Sequence, residues 1–486
     1  MRLKTVVFKN LDLKESWRNP YEPGALPRRH PATGDESRLA IIKVRPNKDQ
    51  SSRPRVLFMS ISIGIAKREI NPEPGALLFG YALERRGHVV ADDLFATALV
   101  LCSGDTTAAV VALDVALIDE DDTAAVQAAV EERTGIPARS VTVHASHTHS
   151  GPITVSAWGW GKKDAAYQAA LRPKIADAVA EALEKLEPVK VGIGTGSTDA
   201  SINRREVNVE GNVILGFNEW GPRDETVTVV RFEGESGTVA TLLHVGLHPT
   251  SRGQQPDISR DWPGVAVDRL ALVSGAPVIF INGCFGDVAP RTSVGGAAGD
   301  GGPAATEVGM RVANDAIGVW RAIKGFREEE LQVLNAEFEL PFMPLEPLEK
   351  AEAELEALGD QREAFGPPGA EWNFWNDVRE RHQEGPRSGR AFRQTITAVG
   401  PIAIVPFAGE VFADIGLRLR KASPFAHTLV AGTTNGSHGY YVTRESRGRG
   451  GYEVWVARAY SAYVLAENID DVLVRENLAL LQQLAG

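Results

Sequence analysis

From about residue 60 onward, short apolar runs alternate with stretches of helical periodicity, and this alternation constrains the fold more than any other feature of the chain. Ala108-Ala109-Val110-Val111-Ala112-Leu113 reads as a buried strand. A helical stretch over 122–133 follows, stopped by Thr134-Gly135-Ile136-Pro137, and 140–145 is the next strand. A long amphipathic helix is expected over 165–186, ending near Pro188, with further strands at 189–194, 226–232, 239–244 and 277–282. The pattern predicts an α/β protein: a single large domain of mixed β-sheets flanked by helices, over residues 59–486. With 43% hydrophobic residues among 486, the chain can bury a core of that size.

Residues 1–58 differ. They carry thirteen Lys/Arg against six Asp/Glu, with Pro20, Pro23, Pro27, Pro31, Pro46 and Pro54 and little periodicity, and are expected to be a basic, poorly ordered extension; a docking arm is the other reading. The whole chain carries a net charge of -11, which argues against nucleic acid as a partner, because phosphate binding needs clustered cations. No stretch reaches the roughly 20 apolar residues of a membrane span, and Met1-Arg2-Leu3-Lys4-Thr5 does not open a secretory signal, so a cytoplasmic protein is expected. Two cysteines, Cys102 and Cys284, cannot build a disulfide framework or a cysteine zinc site. Any metal must be held by histidine and carboxylate.

Three other segments have bland readings. Residues 345–365, rich in glutamate, suggest an exposed charged helix, and Trp372-Asn373-Phe374-Trp375 a packing cluster beside it. The Gly-rich stretch 293–303 is expected as a mobile loop and lacks the Lys-Ser/Thr of a P-loop.

The chemistry gathers at strand ends. In Ala145-Ser146-His147-Thr148-His149-Ser150-Gly151-Pro152, a strand continuing through the motif would aim His147 and His149 the same way, as a pair of metal-binding imidazoles needs. Structural histidines are the alternative. His248, in Leu243-His244-Val245-Gly246-Leu247-His248-Pro249, again sits past an apolar strand, in a chain with ten His. Glu410 follows Val405-Pro406-Phe407 and precedes a helical stretch at 411–421. Two imidazoles and a carboxylate form the ligand set of many catalytic zinc sites.

These residues resemble the neutral and alkaline ceramidases, zinc amidohydrolases, over roughly 60–465. The landmarks come in the family's order: Ile63-Gly64-Ile65-Ala66-Lys67-Arg68-Glu69-Ile70 with Gly80-Tyr81; His147 to Pro152; Ile202-Asn203-Arg204; His248-Pro249-Thr250-Ser251; Asp261 with Gly264; Gly286-Asp287-Val288; Gly409-Glu410; and Gly439-Tyr440 with Tyr452. The resemblance implies that His147, His248, Glu410 and Tyr440 ligate one Zn2+. It also implies that His149 handles protons beside the metal, that Arg204 meets the substrate carbonyl, and that Tyr452 assists. Arg204 in Asn203-Arg204-Arg205-Glu206 also permits surface ion pairing, and Tyr441 beside Tyr440 leaves a one-residue ambiguity.

Two departures matter. Where the family has serine after Gly-Asp-Val, this chain has Ala289, so the expected nucleophile is a zinc-bound hydroxide. Cys284 nearby reads as a small buried hydrophobe. Only 34 residues follow Tyr452, too few for the family's immunoglobulin-like domain. The expectation is a zinc-dependent hydrolase of an amide (N-acyl) bond acting on a small-molecule, N-acylated or lipid-like substrate, with Trp158 and Trp160 either lining the site or packing its loop. The rivals are an esterase or sugar-processing enzyme on the same metal scaffold, and a non-catalytic binding protein of the same fold.

Overall fold

The computed structural model describes residues 61–293, 301–385 and 387–486. The extension expected at 1–58 therefore lies outside the described residues.

Three sheets share one apolar core. The first runs in the order Val141–Ala145, Thr106–Leu113, Phe95–Ser103, Ser62–Glu69, Glu187–Pro188, with only the 106–113 and 141–145 strands parallel. The second orders Val278–Asn282, Gly237–Val245, Thr226–Gly234 and Lys190–Ser197, its first pair parallel. The third orders Leu331–Pro341, Gly389–Val399, Ile402–Pro406 and His427–Ala431, its last pair parallel. Period-two alternation sends one face of each inward. Ile63, Leu99 and Val110 of the first sheet thus meet Val230, Leu242 and Ile279 of the second and Val399, Ile402 and Leu429 of the third. Full burial of one such side chain contributes roughly 1.5–3 kcal/mol.

Helices cover the outer faces, as the mixed α/β expectation requires. Glu120–Thr134 and Ala165–Glu184 bury Val126, Val130, Leu171 and Ile175 against the first sheet. The former starts on the Asp119 side chain, which accepts from the Asp122 N–H, and stops at Gly135, whose φ of 76° suits a residue without Cβ. Asp261–Ser274 pairs with Gly302–Ala322 over the second sheet, and Ala413–Ala422 and Ile469–Ala485 pack at the third. Among the described residues no helix is long and apolar enough to cross a membrane.

Several expectations need correction. The strand before the first histidine motif ends at Ala145 instead of continuing through it. The stretch at 411–421 is helical only from Ala413; Glu410–Val411 instead pairs in parallel with Tyr440–Tyr441. The charged helix is shorter, Leu348–Leu358. Trp372, Phe374 and Trp375 lie in the helix Pro367–Glu384, where Phe374 and Trp375 fill a core with Ala351 and Ala462. Of the Gly-rich stretch, 294–300 lie outside the described residues, and Gly302 and Pro303 already open a helix.

Candidate metal centre

Three parallel strand ends converge. Ala145 N–H donates to Thr433 O at 3.0 Å, Gly432 N–H to Asn282 O at 3.0 Å, and Asn282 N–H to His144 Nε2 at 3.0 Å. The carboxyl ends of parallel strands are where α/β sheets open crevices for ligands, because the chain must leave the sheet there. His147, His248 and Glu410 sit in the first turns beyond such ends.

The His147 backbone is left-handed, with φ 71°, a conformation that costs a non-glycine residue about 1 kcal/mol or more and is held by its surroundings. Its N–H donates to Val115 O at 3.0 Å and its Nδ1 lies 2.8 Å from Ala116 O. His248 is anchored alike, Nδ1 2.7 Å from Phe285 O, while the Trp262 indole donates to its carbonyl at 3.0 Å. With Nδ1 donating to a carbonyl, each Nε2 is a bare lone pair. Both Nε2 atoms lie 3.2 Å from Glu410 Oε2, which is buried and has no hydrogen-bond donor among the described residues. His149 joins them, its Nε2 3.1 Å from that of His147, and one ring nitrogen from each of His147, His149 and His248 lies within 4.8 Å of the other two. Lone pairs and a carboxylate facing one another repel unless protons or a cation lie between them, so the donor set fits a divalent metal.

Arg204 forms the next layer and is buried, not paired at the surface. Its Nε donates to Glu453 Oε1 at 2.8 Å, its Nη2 to the Tyr440 hydroxyl at 3.0 Å, and its Nη1 lies 3.2 Å from His248 Nε2. Tyr452 stands 6.3 Å ring to ring from Tyr440, and the Arg204 guanidinium 5.7 Å from each ring. The two adjacent tyrosines part in space: the Tyr440 hydroxyl meets Arg204, and the Tyr441 hydroxyl lies 2.7 Å from His438 Nδ1. Ala289 is buried in the short strand Val288–Pro290 beside Ile202. Trp160 is buried 6.0 Å from Trp455, and Trp158 is half-buried, so packing describes both. His244 and Cys284 are buried core residues.

Burial dominates the electrostatics. It pushes His248 down to about 4, helped by Arg204, and holds His149 well below its ordinary range, so both stay neutral near pH 7. Burial raises Tyr440 and Tyr452, with Arg204 working against it.

Two participants had no motif. Glu453 accepts from both Arg204 and Arg205 and is fully buried; its only sequence signal is its place next to Tyr452. Arg85, buried, donates to the carbonyls of His149 and Phe79, bracing the histidine turn. Landmarks without a chemical reading prove to be props: Asp261 accepts from the N–H groups of Ser251 and Arg252, and Asp287 from Asn203 and from the Ala413 N–H.

Comparison with known proteins bears out the resemblance. Residues 62–272 match the family model described as neutral/alkaline non-lysosomal ceramidase, N-terminal. The fold is shared with the crystal structure of neutral ceramidase from Pseudomonas aeruginosa, at 19% identity and TM-score 0.67, covering 88% of this chain and 75% of that one. A structure titled as ceramidase complexed with C2 is similar at 18% identity and TM-score 0.66, covering 88% and 76%. No curated protein sequence matches significantly.

Proposed function

We propose, on the premise of the family match over residues 62–272, that this chain is a zinc-dependent hydrolase of N-acyl amide bonds, with His147, His248, Glu410 and Tyr440 holding the metal. The observation that carries the reading is the Glu410 Oε2 atom, buried between two imidazoles at 3.2 Å without a donor among the described residues. Zinc bound there would lower the pKa of a coordinated water towards about 7 and polarise a substrate carbonyl.

The chain's own groups supply the rest. Arg204, pinned by Glu453, presents its Nη atoms beside His248 and Tyr440, where negative charge on a carbonyl oxygen would be stabilised; Tyr452 stands within reach of the same place. His149, whose Nε2 lies 3.1 Å from that of His147, stands where it would take the proton that water loses and return it to the departing amine nitrogen. Its Nε2 lies in the imidazole cluster, which also makes it a candidate ligand. Ala289 offers no hydroxyl, so water is the nucleophile, and the products are a carboxylic acid and an amine.

The test is metal content by mass spectrometry together with hydrolysis of N-octanoyl amide, octanoate ester and octyl glycoside probes. One zinc per chain and amide cleavage are expected. Absence of stoichiometric metal, with His147→Ala changing neither metal content nor turnover, would leave a binding protein of this fold.

A further inference from the structure

Tyr440 also lines a cavity of about 250 Å³ whose walls are charged. Its acids are already satisfied. Asp119 accepts from Lys163 Nζ at 2.6 Å, and Glu120 accepts from Arg390 and lies 2.6 Å from His438 Nε2. Arg447 is the exception among the cations. Among the described residues no carboxylate pairs with it and its Nε is buried without a partner, while Nη1 lies 3.9 Å from the Met343 sulfur. Ser437, also lining the cavity, buries a hydroxyl that lacks a partner among the described residues.

A half-buried guanidinium that no carboxylate pairs with is costly, and its planar fork matches a carboxylate. Burial pulls Arg447 below its ordinary range, with Glu467 and Asp470 only partly countering. One cation and one hydroxyl suit a singly charged group.

We infer that this cavity binds a carboxylate, and that the substrate of the adjoining site is an N-acyl compound carrying one, with Arg447 as its counter-charge and Ser437 as a second donor. The inference rests on the hydrolase reading above. A neutral ceramide would bring no carboxylate to Arg447.

The test uses zinc-loaded full-length protein and two matched pairs. N-octanoylglycine against N-octanoylglycinamide places the carboxylate on the amine side; N-octylsuccinamic acid against N-octylbutanamide places it on the acyl side. The charged member of at least one pair should show kcat/KM about tenfold higher or more, equivalent to about 1.4 kcal/mol. Arg447→Met should bring that ratio towards one through KM, and Arg447→Lys should keep part of it. Equal kcat/KM within both pairs, or Arg447→Met lowering both members alike, overturns the inference.

Calorimetric titration of metal-free protein with the two charged probes separates the two readings. If no probe is hydrolysed yet wild type binds one and folded Arg447→Met does not, the cavity assignment stands and the hydrolase reading falls. Binding of neither by wild type removes the cavity assignment itself.

Discussion

His147 and His149 face each other Nε2 to Nε2 at 3.1 Å although the backbone between them is not a strand. The left-handed φ of 71° at His147 turns the first ring back towards the second. Two neutral imidazoles do not hold that separation through lone pairs alone, so a proton or a cation belongs between them.

Removing an imidazole should therefore remove the metal. His147→Ala and His248→Ala are each expected to lose bound zinc and at least about 100-fold in kcat/KM, since the metal supplies several kcal/mol of barrier lowering. Tyr441→Phe, whose hydroxyl faces His438, serves as the comparison and should keep its zinc. Equal zinc in all three proteins would show that the cluster is not the metal site.

Gly80 has φ 109°, and a Cβ there would lie 2.4 Å from the His149 ring. Gly80→Ala should displace that ring and destabilise the fold by roughly 1–3 kcal/mol beyond backbone strain. Gly211→Ala, at φ 85° with nothing within 4 Å, measures the strain alone. If urea denaturation finds the two variants equally affected, the close approach has no energetic consequence.

The Glu453 carboxylate pairs with two buried guanidinium groups, those of Arg204 and Arg205. Glu453→Gln leaves them uncompensated and should cost about 3–5 kcal/mol, read from the urea midpoint at unchanged slope. A loss below about 1 kcal/mol would mean that water reaches and screens the pair.

Acidification should destabilise chelator-treated protein from the neutral side. His144 Nε2 accepts the Asn282 N–H while Nδ1 meets Thr434, and burial pushes the ring down to about 3. Its folded pKa lies below the unfolded value of about 6.5, so the unfolded chain takes the proton first. Stability is full above that value and falls as pH drops towards 3, by at most about 1.4 kcal/mol per pH unit for this group. His149, His244 and His248 act with the same sign. Asp114, Asp261 and Asp287, raised to about 6 by burial, offset part of the loss below that pH. The urea midpoint should therefore fall between about pH 7.5 and 6; a rise over that interval would contradict the buried neutral histidines.

Restoring the family serine with Ala289→Ser should change kcat/KM by less than about tenfold. A larger gain would show that a hydroxyl nucleophile, not water, is the missing element.

Strand-end histidines were legible in the chain because an apolar run followed by a turn needs no distant partner to be recognised, and His147, His248 and Glu410 stand where such runs end. Order along the chain also sufficed for the family resemblance and the mixed α/β class. Tertiary structure alone decided the rest, because long-range pairing leaves no local signal. Glu410 meets Tyr440 through a two-residue parallel ladder, and Arg204 meets Glu453 across 249 positions. The left-handed turn that joins His147 to His149 broke the strand expected there, since packing around Ala116 and Val115 outweighs the local preference for extension. Arg447 carries no motif at all; what singles it out is that no carboxylate pairs with it among the described residues, which only packing could decide.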